Sequence, residues 1–126
     1  MKKIITTLNA PAPIGPYNQA VLANDTLYLS GQIGLNPQSK EMVTGDIKKE
    51  AEQVMENLKA VLEAAQMTFN QVVKSSIFLS DMEDFGQVNK VYGSYFNNET
   101  APARETVAVK TLPKNVRVEI SMIAIR

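Results

Sequence analysis

The stretch Ala101-Pro102-Ala103-Arg104-Glu105-Thr106-Val107-Ala108-Val109 carries one arginine into an apolar run. Pro102 holds Ala101 extended and has no N–H to give a central ladder, so a strand begins just after it. Alternation then divides the residues: Arg104, Thr106 and Ala108 on one side, Glu105, Val107 and Val109 on the other. The second set is bulkier and more apolar, which predicts that Arg104 points away from the helix-packed core. A guanidinium stays charged and matches a carboxylate with two parallel hydrogen bonds. Arg104 therefore reads either as an anion clamp at a strand end or as a solvated or structurally paired arginine.

Downstream, Val116, Val118, Ile120 and Met122 alternate with Arg117, Glu119 and Ser121, which predicts a last strand over 116–125. The segment Thr111-Leu112-Pro113-Lys114-Asn115 joins the two. An antiparallel hairpin centred on it would place Ala108 near Glu119 and Thr106 near Ser121. With the valine-bearing faces toward the helices, Glu119 then shares a face with Arg104 and Thr106. The pair reads either as a structural salt bridge or as the two charged groups of a site.

Upstream, Asp46–Gln66 places Ile47, Ala51, Val54, Met55, Leu58, Val61, Leu62 and Ala65 at three- and four-residue spacing, the pattern of a helix with one buried stripe. Thr44 or Asp46 can cap its start. A second helix is expected over about 83–96, with Phe85, Val88, Tyr92, Tyr95 and Phe96 on one face. Asn89 sits at the edge of that stripe, where it either orients a water or faces solvent. Strands are expected at Lys3–Thr7, Gln19–Ala23, Thr26–Ser30 and Gln71–Ser80, with Asn24-Asp25 as a tight turn. Pro11, Pro13 and Pro16 stiffen the loop that ends at Tyr17, whose hydroxyl can serve a ligand while its ring packs. Ser30-Gly31-Gln32 ends the third strand, and Gly31 lets a ligand approach the main chain. The order β-β-β-α-β-α-β-β argues a single α+β domain over residues 1–126, one sheet with two helices on one face. The mixed, uncovered face is most simply buried between subunits, with clefts at the seams.

Composition narrows the chemistry. The 126 residues include 13 Lys plus Arg and 13 Asp plus Glu, so net charge is zero and no basic footprint for nucleic acid or an anionic membrane is present. There is no histidine and no cysteine. Disulfides, thiolate nucleophiles and ordinary zinc sites are thereby removed, leaving carboxylate, tyrosine, lysine or bound water for proton transfer. No secretory apolar region follows Lys2-Lys3 and no segment reaches membrane-span length, so a cytoplasmic chain is expected. No repeat, phosphate-cradling glycine motif or nucleophile elbow occurs.

Pro102-Ala103-Arg104 followed by Val118-Glu119-Ile120 resembles the signature of the RidA family, also called the YjgF family. Ile14-Gly15-Pro16-Tyr17, Ser30-Gly31-Gln32, and Asp84-Phe85 through Asn89 to Tyr92 resemble further segments of it, in order across the chain. The resemblance implies a chorismate-mutase-like fold and a homotrimer with three inter-subunit clefts. It also implies hydrolysis of enamines and imines such as 2-aminoacrylate and 2-iminobutanoate to 2-keto acids and ammonia, without metal or cofactor. Arg104 would grip the substrate carboxylate, helped by backbone groups near Gly31 and Thr106. Glu119 would hold the attacking water with Asn89 nearby, and Tyr17 and Ser30 would line the cleft. A different class remains open: a non-catalytic trimeric sensor that binds small 2-keto acids through Arg104. An RNA-cleaving role fits the neutral, histidine-free chain least well. The chain departs from the family at Glu105, where a small or apolar residue is usual, at Thr106, where many members carry cysteine, and at Gln66-Met67, which lacks a helix-ending glycine.

Overall fold

A computed structural model describes residues 1–126. The chain runs β1 (Lys2–Ile5), β2 (Ala20–Ala23), β3 (Thr26–Gln32), α1 (Ile47–Ala64), β4 (Val72–Leu79), α2 (Phe85–Gly93), β5 (Ala103–Ala108) and β6 (Val118–Ile125). The strands form one mixed sheet in the order β1-β2-β3-β6-β4-β5. Both helices pack on the same face, and the expected element order holds.

The α1 stripe is buried as its periodicity requires, with Val54, Met55, Leu58 and Val61 fully shielded. Asp46 caps the helix by accepting from the N–H of Lys48. At the far end Gln66 adopts the left-handed φ of 60°, and Met67 N–H closes back onto Leu62 C=O. Gln66 thus takes the conformation a glycine holds at many helix ends. The sheet supplies the facing apolar layer: Leu27 and Leu29 from β3, Ile77 and Leu79 from β4, and Val118, Ile120 and Met122 from β6. Each such side chain contributes about 1.5–3 kcal/mol on leaving water.

The expected β5–β6 hairpin does not form. β5 instead runs parallel to β4 at the sheet edge, with Ser75 beside Arg104 and Ile77 beside Thr106. β6 runs antiparallel to β4 on its other side, with Phe78 beside Glu119. The reason lies at the end of β4. Val109 N–H donates to Leu79 C=O, and Ser80 N–H donates to Arg117 C=O, so the 109–117 connection passes over that end. It is anchored by buried Leu112 and Val116. β4 is the richer in large apolar residues and takes the inner position. β5, with Arg, Glu, Thr and Ala, suits an edge. Parallel pairing needs a crossover, which α2 provides.

Candidate functional site

Because β5 follows β4 in parallel register, Arg104, Thr106 and Ala108 lie on the helix-covered face with Ser75, Ile77 and Leu79. Glu105 and Val107 lie on the bare face. The expectation that Arg104 points away from the helices is therefore corrected: the bulkier residues of β5 are the exposed ones. The parity of β6 is as expected, with Val118, Ile120 and Met122 toward the helices and Glu119 on the bare face. Arg104 and Glu119 do not share a face within one chain. The sequence residues separate into two groups.

The first group is built by α2 and β5. Arg104 Nη1 donates to Asn89 Oδ1 at 2.7 Å, and its guanidinium lies 5.0 Å from the Tyr92 ring and 5.7 Å from the Phe85 ring. Stacking on aromatic faces fixes the fork's plane without using its remaining donors. Arg104 forms no ion pair within the chain. Tyr92 is itself held by Ser75, its hydroxyl donating to Ser75 Oγ at 2.9 Å. Burial raises the Tyr92 pKa, which the Ser75 hydrogen bond and the Arg104 charge partly oppose, so the phenol stays neutral. The cleft beside Arg104 holds about 380 Å³ and is lined by Asn89, Tyr92, Phe96 and Pro102. Asn89 is thus an arginine-orienting residue here, beside Arg104 rather than beside Glu119. The Thr106 hydroxyl lies two residues beyond Arg104 on the same face, buried and without a partner.

The second group is built by β3, β6 and the proline-rich loop. Leu29 pairs with Met122 and Gln32 with Ile120, so Ser30 and Gly31 together oppose Ser121 in a β-bulge. The bulge turns Gly31 toward Glu119. A Cβ at Gly31 would stand 2.4 Å from Glu119 Oε2 and 2.9 Å from its carboxyl carbon, so the carboxylate occupies the space that only glycine leaves. Glu119 makes no hydrogen bond or ion pair within the chain, and its pKa is raised by desolvation alone. Ser30 donates its hydroxyl to Asn18 C=O, which ties the bulge to the loop rather than presenting that hydroxyl. Tyr17 is half exposed beside a small pocket of about 50 Å³ that also includes Gly31. Its hydroxyl accepts a long contact of 3.4 Å from Ile14 N–H.

Glu105 is explained by the bare face. Lys74, diagonally across on β4 beside Ala103, pairs with it at 2.9 Å, and Ser76, directly beside it, donates to it. These contacts hold its carboxyl below the usual range, the Ser76 hydrogen bond contributing most. No group of three or more His, Cys, Asp or Glu side chains comes together in a way that could hold a metal ion. No helix is long and apolar enough to cross a membrane.

A six-stranded sheet backed by two helices, with an arginine free of any ion pair on one face and an unpaired, half-buried carboxylate on the other, defines a small α+β protein with its charged groups divided between two faces. Comparison with known proteins places that architecture. A family model described as Endoribonuclease L-PSP matches residues 7–126, and the chain belongs to this family, the YjgF or Rid family. A RutC family protein of Pyrococcus horikoshii is 51% identical over 124 residues, covering 98% of each chain. The 2-iminobutanoate/2-iminopropanoate deaminase of Mus musculus is 48% identical, covering 100% of this chain and 93% of that one. Among solved structures, E. coli TdcF with bound serine superposes with a TM-score of 0.92 at 40% identity, covering 98% of both chains.

Proposed function

We propose that the chain hydrolyses small 2-imino acids and their enamine tautomers, such as 2-iminobutanoate and 2-aminoacrylate, to 2-keto acids and ammonia. Pyridoxal-phosphate enzymes of the cytoplasm would supply these intermediates. The observation that carries the reading is the division of the two charged groups: Arg104 without an acidic partner on one face, Glu119 without any partner on the other. Relatives named as 2-iminobutanoate/2-iminopropanoate deaminases support the chemistry.

In this reading the working site spans two copies of a homotrimer. Arg104 of one copy, oriented by Asn89 and by Tyr92, takes the substrate carboxylate through its free donors. Glu119 of the neighbouring copy, beside Gly31, holds a water against the imine carbon and accepts its proton. A carboxyl whose pKa burial has raised is a better base near neutral pH than an exposed one. Water adds to the C=N bond, the nitrogen takes a proton, and the carbinolamine expels ammonia to leave the keto acid. An iminium is already electrophilic, so orientation and one base suffice. Tyr17 and Ser30 would border the cleft from the Glu119 side, and Thr106 from the Arg104 side.

Co-expression of two inactive variants tests this. Arg104→Ala and Glu119→Gln chains are each expected to lack imine hydrolysis. Random co-assembly should restore about one quarter of wild-type activity across the whole population, and about one third in the mixed trimers themselves, because each of these joins an intact arginine to an intact glutamate at one of its three seams. No recovery in confirmed mixed trimers would reject the shared site. Binding of 2-keto acids with no turnover by the wild-type chain would favour the sensor reading instead.

A further inference from the structure

Three charged groups outside the site are tied into one network, and two of them are buried. Glu50, in the first turn of α1, is 2% exposed, and Asp84, just before α2, is 8% exposed. Glu50 Oε2 accepts from the backbone N–H of Arg117 at 2.8 Å. The Arg117 side chain forks onto Asp84, with Nη2–Oδ1 at 2.8 Å and Nε–Oδ2 at 3.2 Å. Gly34 lies against the same glutamate, and a Cβ there would stand 2.8 Å from Glu50 Cγ. Glu50 thus grips the chain two residues before Glu119 and packs on the chain three residues after Gly31.

We propose that Glu50 is a positioning residue for Glu119, setting β6 against the Ser30–Gly31 bulge so that the carboxylate stays seated beside Gly31. A buried carboxylate is costly unless several groups use it, and a plain helix–sheet contact would be met as well by an aliphatic side chain. The accepted bond is to a main-chain N–H, so it fixes the height of the strand and not merely a side chain. Around Glu119 on the bare face stand Gly31, Phe78 and Ser121, none of which titrates; Tyr17 and Lys114 line the small pocket that Gly31 borders, and Arg117, two residues earlier on the chain, is turned to Asp84. Lys74 and Glu105 on that face are satisfied within their own pair. Loss of the Glu50 acceptor would let β6 shift and admit water to the Glu119 carboxyl.

The inference rests on the deaminase reading for its kinetic consequence, but Glu119 can be watched without substrate. The carboxyl carbon of Glu119, assigned with Glu119→Gln, is titrated by NMR in the wild-type chain, Glu50→Ala, Glu50→Met and Glu50→Gln. In Glu50→Ala the Glu119 titration should move down toward the ordinary glutamate range. For 2-iminobutanoate, kcat should fall about tenfold or more, the scale of a sub-ångström to 1 Å misplacement, with KM within about twofold. Glu50→Gln should keep both, since its amide oxygen accepts the same N–H. Glu50→Met preserves bulk without an acceptor and should behave as Glu50→Ala, which serves if the alanine variant does not fold. An unchanged Glu119 titration in either folded variant overturns the proposal. A wild-type chain inactive on imines rejects the deaminase reading, and the titration then decides the positioning role by itself.

Discussion

Arg104 and Glu119 face opposite sides of one sheet, with β4 between their strands: Arg104 lies beside Ser75 on the helix-covered side, Glu119 beside Phe78 on the bare side. They are two strands apart across the sheet and offset three residues along β4, roughly 10 Å. No rotamer brings them together. Chemistry that uses both must recruit them from different copies of the chain, and each can then be tested separately.

Arg104→Lys keeps a positive charge but loses the planar fork that stacks on Tyr92 and bonds Asn89. If the fork grips a carboxylate, kcat/KM for 2-iminobutanoate should fall about 100-fold or more, in the range of 2–5 kcal/mol that such charged contacts carry. Circular dichroism should be unaltered. Wild-type rates in the lysine variant would remove the clamp.

Gly31→Ala aims a methyl group at the Glu119 carboxylate, 2.4 Å from Oε2. The carboxylate must leave its seat. Activity should drop at least as far as in Glu119→Gln, while thermal stability changes little because Gly31 needs no unusual backbone angle. A structure of the variant with Glu119 unmoved would refute the seat.

The pH dependence follows from the burial of Glu119, which raises its pKa above the ordinary glutamate value of 4.5. The folded chain therefore binds a proton that the unfolded chain has released, and stability contributed by this group is lost as pH rises from about 4.5 through the folded value. Glu119→Gln should accordingly melt higher than wild type at pH 7, with the advantage vanishing below pH 4. Activity should run the other way. Imine hydrolysis should rise with pH through the same raised pKa, whereas the glutamine variant should be inactive across the whole range.

Gln66→Gly should stabilise the chain by about 1 kcal/mol, since glycine accepts the left-handed angles that glutamine bears at a cost. Denaturant midpoints measure it, and turnover should not change. A neutral or negative shift would mean that Gln66 gives more contact than its backbone costs.

Much of the fold was legible in periodicity. The α1 stripe, the Asn24-Asp25 turn and the order of all eight elements follow from local pattern, because each is decided by residues near in sequence. Strand order was not legible. Val118, Ile120 and Met122 announce a strand but not its neighbour, and the intrusion of β4 between β5 and β6 depends on how Leu112 and Val116 anchor the crossing loop. Bulk alone assigns Arg104 to the wrong face, since Val107 on an edge strand stays exposed and parity states only which residues agree with one another. Glu105 departs from the family pattern, and its partner Lys74 lies on a strand that no local pattern places beside it. Glu50 gave no signal. Within an amphipathic helix it reads as one more surface charge, and only the long-range bond to Arg117 distinguishes it.

The sheet order has a further consequence, for the making of the protein rather than its working. β6 is the final strand in chain order, yet it lies between β3 and β4. Until it is synthesised, β3 and β4 each present an unpaired apolar edge, and nothing joins the β1–β3 meander to the β4–β5 pair within the sheet. A ribosome-bound nascent chain therefore carries two open templates until its last segment emerges, and a message cut short before Val118 would yield a sticky fragment rather than a smaller domain.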